Sequence, residues 1–425
     1  MTVPLKPALP ALAAFAALCL AAAAAHAQGP FDPEAATRAY LESVPLDVRA
    51  KSDAYFEGGY WLALWGALYG IAVYWLMMRF GWSVKFRTRA EKITHARFVH
   101  ALLYACQFIV AVFVLSLPLT VYQGFFREHQ YGLANQTFGP WFGEQLIGLG
   151  VNLVLFGFLI AVILKVIRKA PKIWPLIGGG VVGVFLLIAL AITPVFINPI
   201  FNDYQPLPAG EVRTEILSLA RANGVPADEV YGFDASKQTT RISANVAGFL
   251  GTTRVSLNDN LLNGATLPEI KAVMGHEIGH FVTNLVIALV IPLALLATLG
   301  FAFARYYFPK VITRWGKGWG VKGIEDPAGL PVLAALLTLA FFAMTPLYNT
   351  IIRESERLAD IYGLNAAREP DGFATVALKL ATYRKLEPAP WEEFIFYDHP
   401  SGHSRVSMAM HWKAENLGPA EDGEK

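Results

Sequence analysis

Residues 273–281 read Val-Met-Gly-His-Glu-Ile-Gly-His-Phe. They contain the pattern His-Glu-x-x-His, with His276 and His280 four positions apart. This spacing predicts a helix that presents both imidazoles on one face, where two neutral rings can bind one metal ion. Glu277 lies one residue further round the helix, where its carboxylate can accept a proton from a water molecule activated by the metal. The stretch therefore predicts a zinc centre built on a helix.

A five-residue match of this kind also occurs by chance. The alternative is a solvated helix face that carries two unrelated histidines. However, the flanking residues are apolar, and the stretch lies directly before a long apolar segment. Because burying a polar trio near a membrane is costly unless something binds it, we favour the metal site.

A catalytic zinc ion needs a third protein ligand and one open coordination position. Residues 353–360, Arg-Glu-Ser-Glu-Arg-Leu-Ala-Asp, supply candidate carboxylates on a second predicted helix. We predict Glu356 as the third ligand and Asp360, one turn later, as the acid that orients a ligating histidine. Glu354 is the rival ligand, although it projects from a different helix face than Asp360. Taken alone, residues 353–360 are more typical of a charged, solvated helix than of a metal site. Taken together with residues 273–281, they predict a site for one Zn²⁺ per chain.

The composition of the chain is that of a membrane protein. Apolar residues make up 55% of the 425 residues and charged residues only 16%, and the mean hydropathy is +0.41. The net charge of +2 and the lack of a long basic run give no support for nucleic acid as a partner. Six apolar segments are long enough to span a bilayer as helices, at about residues 59–79, 100–122, 145–167, 174–197, 284–305 and 329–351.

Residues 1–27 have the layout of an export signal. A lysine precedes an alanine-rich apolar block, which ends in an Ala-His-Ala cleavage pattern. The alternative is an uncleaved first membrane helix, and either would carry the chain across a membrane. Cleavage would remove Cys19 and leave Cys106 as a lone thiol, so no internal disulfide is expected.

The charges of the connecting loops predict the orientation in the membrane. Lys and Arg are concentrated at residues 79–97, 165–172 and 305–322. All three connections fall on the same side when the six spans alternate, so the positive-inside rule places them in the cytoplasm. We therefore expect a multi-pass protein of a bacterial inner membrane, with the metal stretch on the periplasmic side.

These patterns divide the chain into three regions: the signal or first helix at 1–27, a membrane domain with four helices at 28–199, and the metal-binding domain at 200–425, which includes the spans 284–305 and 329–351. The last region has predicted helices at 211–223, 267–282, 374–386 and 404–413, and predicted strands at 229–233, 240–247 and 254–257. The predicted fold class is mainly α: a polytopic helical membrane protein with a small α+β zincin-type catalytic domain.

With these motifs the chain resembles the membrane zinc endopeptidases of the CAAX prenyl protease 1 type, which are related more distantly to the heat-shock membrane protease. The resemblance covers nearly everything after the signal. Its motifs are residues 197–202, 254–262, 273–281 and 353–360. It implies a gluzincin-type metalloendopeptidase that cleaves peptide bonds by water attack, with Glu356 as the third zinc ligand.

The resemblance implies further site residues near the C-terminus. An Asp-His-Pro run at 398–400, followed by Arg405, resembles a motif of the family. It implies that His399 stabilises the developing oxyanion and that Arg405 supports the site. His403 is the competitor for this role, and the alternative for His399 is a loop histidine that caps the next helix.

The expected substrate-binding strand departs from the family pattern. The family's Asn-Ala pair falls at Ser243-Ala244, with Asn245 displaced. Because peptides bound by zinc proteases commonly pair with an edge strand, Ala244, Asn245, Val246 and Ala247 are expected to form that edge. The orientation is a second departure, since the eukaryotic enzymes have a site open to the cytoplasm.

The expected partners are the lipid bilayer and peptide or protein substrates, which the resemblance allows to be lipidated or membrane-associated. A protease for membrane quality control is one alternative. A transporter is another, although acidic residues within the spans are scarce. The last is an inactive scaffold, which the presence of Glu277 disfavours because zinc binding alone needs no general base.

Overall fold

The computed structural model describes residues 31–248 and 253–417. The predicted signal or first helix therefore lies outside the described residues. The described chain is largely helical, with one small sheet, and five of its helices are long and apolar enough to cross a membrane. The predicted fold class is confirmed, and the first five predicted spans coincide with these five helices.

Four of the membrane helices lie in the first half of the chain. The helices of this half are α1 (Pro33–Glu42), α2 (Leu46–Arg79), α3 (Trp82–Ile93), α4 (Arg97–Val121), α5 (Phe138–Lys169) and α6 (Trp174–Ile192). Two π-helical turns, Tyr122–Phe126 and Thr193–Ile197, extend α4 and α6 into the short helices Arg127–Gln130 and Asn198–Phe201. With 34 residues, α2 is roughly 50 Å long, which exceeds the hydrocarbon core of a bilayer and leaves one end to contact the C-terminal region.

The second half of the chain contains the sheet and the remaining helices. Its elements are β1 (Tyr204–Pro206), α7 (Glu211–Ala222), β2 (Val230–Phe233), β3 (Ala244–Ala247), β4 (Arg254–Asn258), α8 (Asp259–Gly264), α9 (Leu267–Val282), α10 (Leu285–Ala288), α11 (Val290–Trp315), α12 (Leu330–Ala343), α13 (Thr345–Ala367), α14 (Pro370–Leu380), α15 (Pro390–Phe396) and α16 (Gly402–Leu417).

The sheet has the strand order β1-β2-β4-β3, so β3 is an edge strand. β2 and β4 are parallel, whereas β1 and β3 pair antiparallel with their neighbours. The predicted strand at 240–247 forms only over its last four residues, and β1 was not predicted. Val255 and Leu257 of β4 are fully buried in one core with Met274 and Ile278 of α9. This core joins the sheet to the helix that carries the His-Glu-x-x-His pattern.

The predicted sixth span at 329–351 is not one straight helix. α12 and α13 meet at Met344 with a bend of 58°. Pro346 lies in the first turn of α13, where it lacks the amide hydrogen that would bond to the carbonyl of Phe342. This missing bond permits the bend, and the bent pair of helices together is long and apolar enough to cross a membrane. Beyond the bend, α13 packs along α9.

The predicted helix at 267–282 forms as α9, but it does not continue into the fifth span. Asn284 interrupts it with a φ of 54°. Asparagine enters this left-handed region more easily than most residues because its short polar side chain can bond locally. The interruption separates α9 from the membrane helix α11, so α9 can align with α13 instead.

Candidate metal centre and catalytic cleft

Glycines bring α9 and α13 into close contact. A Cβ atom on Gly363 would lie 2.7 Å from the amide nitrogen of His276, and one on Gly275 would lie 2.9 Å from the carbonyl oxygen of Gly363. Side chains at these positions would force the backbones apart, since real Cβ contacts are longer. Close approach of the two helices places the predicted ligand Glu356 of α13 opposite the histidines of α9.

The three predicted ligands converge. The Nε2 atoms of His276 and His280 are 3.1 Å apart. The Glu356 carboxylate oxygens lie 3.3 Å from Nε2 of His276 and 3.4 Å from Nε2 of His280. In a tetrahedral zinc site with bonds of about 2.0–2.1 Å, neighbouring ligand atoms are about 3.3 Å apart. The donor types and their separations therefore fit one Zn²⁺ ion.

Asp360 and Arg405 form a second layer behind His276. Nδ1 of His276 donates to Asp360 at 2.7 Å, and Nε of Arg405 donates to the other oxygen of Asp360 at 2.9 Å. The first bond holds the Nδ1 proton and so leaves Nε2 of a neutral His276 free to bind a metal. Burial raises the pKa of Asp360, but Arg405 and His276 together outweigh burial and lower the pKa, so this carboxylate stays ionised. By contrast, the buried Nδ1 of His280 has no hydrogen-bond partner among the described residues.

The cluster is electrostatically suited to a cation. Burial of Glu356 opposes its ionisation, but hydrogen bonds from His276 and His280 outweigh burial and lower its pKa. Burial likewise lowers the pKa of His276, yet Asp360 and Glu356 raise it to about 10. His276 therefore holds its second ring proton strongly when no metal is bound. Two ionised carboxylates around the imidazoles provide the negative charge that a divalent cation would neutralise.

Glu277 lines the same cleft, which has a volume of about 180 Å³. Burial raises the pKa of Glu277, and the two neighbouring histidines oppose the shift only in part. A carboxylate with a raised pKa is a stronger base when ionised, which suits it to accept a proton from water near neutral pH. The structure thus places Glu277 where general-base chemistry can occur.

His399 reaches the cleft from the loop between α15 and α16. Its Nε2 lies 3.2 Å from Glu356, and its Nδ1 lies 2.8 Å from the carboxylate of Asp398. Burial raises the pKa of Asp398, but His399 and the charge of Arg384 together outweigh burial and lower the pKa. The cap of α16 is Ser401, whose hydroxyl accepts from the amide of Ser404, so the alternative role of His399 as a cap is not observed.

Two rival residues lie outside the cleft. The carboxylate of Glu354 is about half exposed and pairs with Arg357 at 2.9 Å. His403 is exposed and does not line the cleft. The structure therefore brings together Glu356 and His399, and it places neither Glu354 nor His403 beside the predicted zinc ligands.

The loop that carries His399 is fixed by Arg353 of α13. The guanidinium donates to the carbonyl oxygens of Glu393 at 2.7 Å and Tyr397 at 2.6 Å. This residue belongs to the stretch that marks the family resemblance, but its role as an anchor was not predicted. It links the position of His399 to the helix that carries Glu356.

The edge strand β3 runs beside the cleft. Ala244 and the preceding Ser243 line it, whereas Val246 is buried in the core, and Asn245 and Ala247 lie further along the strand. β4 occupies one edge of β3. The other edge has no backbone partner among residues 31–248 and 253–417, so a peptide in the cleft can pair with it.

Another part of the cleft wall was not predicted from the sequence. This part consists of residues from α14 and the turn after it: Phe373, Val376, Ala377, Leu380, Tyr383 and Arg384. The helical spacing predicted that α14 exists, but it could not indicate that one apolar face of this helix borders a cleft. The sequence indicates Asp398 only as the first residue of the Asp-His-Pro run at 398–400.

Two family descriptions match this chain. The description "CAAX prenyl protease N-terminal, five membrane helices" matches residues 34–203, and "Peptidase family M48" matches residues 206–413. Together they cover both the membrane helices and the cleft.

Individual relatives agree with this assignment. An uncharacterized metalloprotease of Bacillus subtilis, YhfN, is 27% identical over 355 residues, which is 83% of each chain. CAAX prenyl protease 1 of Saccharomyces cerevisiae is 34% identical over 185 residues, covering 42% of this chain and 40% of the yeast protein. The crystal structure of S. mikatae Ste24p has the same fold, with a TM-score of 0.70, 24% identity, and coverage of 89% of this chain and 94% of that chain. The chain therefore belongs to peptidase family M48 and is a multi-pass membrane metalloprotease.

Proposed function

We propose that this protein is a zinc-dependent metalloendopeptidase that binds one Zn²⁺ through His276, His280 and Glu356. The observation that carries the proposal is that ligand atoms of these three side chains all lie within 4.8 Å of one another. A bound Zn²⁺ would supply Lewis acidity that lowers the pKa of water to about 7 and polarises a peptide carbonyl.

The surrounding residues would perform the proton and charge steps. Glu277 accepts a proton from the attacking water and can pass it to the leaving amine. His399 donates from Nε2 to the oxyanion that develops at the attacked carbon, while Asp398 orients the ring through its contact with Nδ1. Asp360 and Arg405 keep His276 in the orientation and tautomer that a metal ligand requires.

The substrate would bind as an extended chain along the free edge of β3, formed by Ala244, Asn245, Val246 and Ala247. Main-chain pairing of this kind is largely independent of sequence. Pairing with this edge requires an extended segment, which a folded domain does not offer. Unfolded, membrane-associated or lipidated peptides are therefore the proposed substrate class, and the similarity to CAAX prenyl protease 1 supports the lipidated case.

Metal analysis tests this proposal. Protein purified in detergent is expected to contain about one zinc per chain and to cleave an unstructured peptide. Removing the metal with a chelator should abolish cleavage, and added zinc should restore it. A folded sample, verified by circular dichroism, that neither contains zinc nor takes it up would contradict the proposal.

We further propose that the cleft opens to the periplasm of a bacterial cell. The positive charge at residues 79–97, 165–172 and 305–322 supports this orientation. An outward-facing site would meet exported and membrane-inserted chains, which favours membrane quality control as a second candidate function.

A cysteine placed at Ser218 tests the orientation. Ser218 is exposed on α7, and Thr88 is exposed on α3 at the opposite, basic side. In a background with Cys19 and Cys106 replaced by alanine, Ser218→Cys is expected to react with a membrane-impermeant maleimide added to spheroplasts with an intact inner membrane. Thr88→Cys should react only after lysis. The reverse pattern would show that the cleft faces the cytoplasm.

A further inference from the structure

A second cavity lies between three helices, apart from the cleft that holds the predicted metal ligands. It has a volume of about 630 Å³ and shares no lining residue with that cleft. α12 forms its floor and packs against both α2 and α11, which form its walls. The volume of this interhelical cavity falls within the range of roughly 300–1,000 Å³ that is common for small-molecule sites. It can therefore hold a ligand that the proposed cleavage reaction does not use.

The interhelical cavity lies at the ends of its helices. α2 ends at Arg79, α11 ends at Trp315 and α12 begins at Leu330, and the cavity is lined by Arg79, Trp315 and the residue after Leu330. Trp75 and Trp315 line it and are 53% and 63% exposed. Tryptophan favours the boundary between hydrocarbon and water. The mouth of the cavity is thus expected at the surface of the bilayer rather than in its middle.

The interior of the cavity is apolar. Met78, Val332 and Leu336 line it and are buried. The lining residues of α12 run from Pro331 to Leu339, which corresponds to roughly 12 Å along the helix axis. A hydrocarbon chain suits such a space, because it gains from contact with apolar side chains and needs no hydrogen bonds.

The mouth of the cavity carries positive charge. Arg79 and Lys317 line the cavity, and no acidic residue lines it with them. Among residues 31–248 and 253–417, neither of these side chains forms a hydrogen bond or an ion pair. By contrast, Arg87 on the same basic side is buried and pairs with Asp326 at 2.5 Å. Two cations beside an apolar interior are complementary to a phosphate group that is joined to a hydrocarbon chain.

We propose that the interhelical cavity binds one anionic phospholipid of the surrounding membrane, with its phosphate near Arg79 and Lys317 and an acyl chain between α2, α11 and α12. The charge of the mouth favours an anionic headgroup over a zwitterionic one, and the apolar interior favours a lipid over a soluble phosphate. The lipid would hold together the ends of α2 and α11, which flank α12. It would thereby stabilise the helix that leads through Met344 into α13, which carries Glu356.

Lipid binding by the full-length protein tests this proposal. The protein is purified in detergent, stripped of lipid, and incubated with phosphatidylglycerol or phosphatidylcholine that carry the same acyl chains. Native mass spectrometry counts the lipid molecules bound to each chain, and a titration gives the two affinities. Thermal unfolding is measured in parallel, because a ligand of the folded state raises the unfolding temperature.

Two changes remove different parts of the site. Arg79→Gln with Lys317→Gln removes the charge of the mouth, and Ala335→Phe places a ring in the apolar interior. The matched control is Arg89→Gln with Arg314→Gln. It removes an equal charge from exposed positions on the same basic side that do not line the cavity.

The wild-type protein is expected to bind about one phosphatidylglycerol with an affinity roughly ten- to thirtyfold higher than its affinity for phosphatidylcholine. Arg79→Gln with Lys317→Gln should lose this preference and the accompanying rise in unfolding temperature. Ala335→Phe should weaken the binding of both lipids, and the control should keep the wild-type preference. Glycerol phosphate, which has the charge but no acyl chain, should not displace the bound lipid.

Equal affinity of the wild-type protein for the two lipids would overturn the proposal and indicate unspecific contact with the bilayer. An equal loss of preference in the control would also overturn it, since general surface charge would then explain the binding. Full preference in Arg79→Gln with Lys317→Gln would place the lipid elsewhere, and displacement by glycerol phosphate would indicate a site for soluble phosphate. If circular dichroism shows that Ala335→Phe does not fold, the charge variant and its control decide between these outcomes.

Discussion

Replacing Glu277 with glutamine is expected to reduce kcat for peptide cleavage by about 10²–10⁴-fold, while about one zinc per chain remains bound. Glutamine has nearly the same shape as glutamate but cannot accept a proton from the attacking water. The metal ligands are unchanged, since the three converging side chains are His276, His280 and Glu356. Peptide turnover and zinc content, measured on the same purified samples, provide the test.

The result also separates the proposed enzyme from the other hypotheses. A transporter or an inactive scaffold would show no peptide turnover to lose, whereas a peptidase that uses a different base would be insensitive to this change. Wild-type turnover in Glu277→Gln would therefore remove Glu277 from the mechanism. If both activity and zinc were lost, an effect on the structure of the cleft would explain the result better than loss of a base.

Glu356→Ala is expected to weaken zinc binding by more than the roughly 10–100-fold that is typical for loss of an outer-shell partner, because it removes a direct ligand. It should also abolish cleavage at zinc concentrations that saturate the wild-type protein. Competition with a chromophoric chelator measures the affinity. His276 and His280 would keep only two nitrogen donors, and a catalytic zinc site normally requires three protein ligands.

The matched control is Glu354→Ala. It removes an equal charge from the same helix, but Glu354 is exposed and pairs with Arg357 rather than facing the histidines. We expect its zinc affinity to equal that of the wild-type protein. If Glu356→Ala kept its zinc affinity and Glu354→Ala lost it, Glu354 rather than Glu356 would be the third ligand.

Local patterns predicted those features that depend on nearby residues. The four-residue spacing of His276 and His280 requires only a helix to bring the rings together, and the long apolar segments require only a bilayer. Glu356 was found because a zinc site needs a third donor, and a one-turn spacing linked it to Asp360. The structure places all of these side chains around one centre.

The remaining features depend on contacts between distant parts of the chain. The bend at Met344 follows from a proline that the hydropathy pattern of an apolar segment does not register. Arg353 anchors the loop that carries His399 through two backbone carbonyls, and a linear sequence does not show that contact. Similarly, the roles of Gly275 and Gly363 become clear only when the distance between their two helices is known.

The two halves of the candidate metal centre lie on either side of a pair of apolar helices. α9 carries the histidines and precedes α11, whereas α13 carries Glu356 and follows α12. During synthesis, the donor set would stay incomplete until this helical hairpin has entered the bilayer and returned the chain to the same side. Hydrolytic capacity would then appear only after insertion is finished. The sheet-containing half could not be expressed as a water-soluble enzyme without α11 and α12.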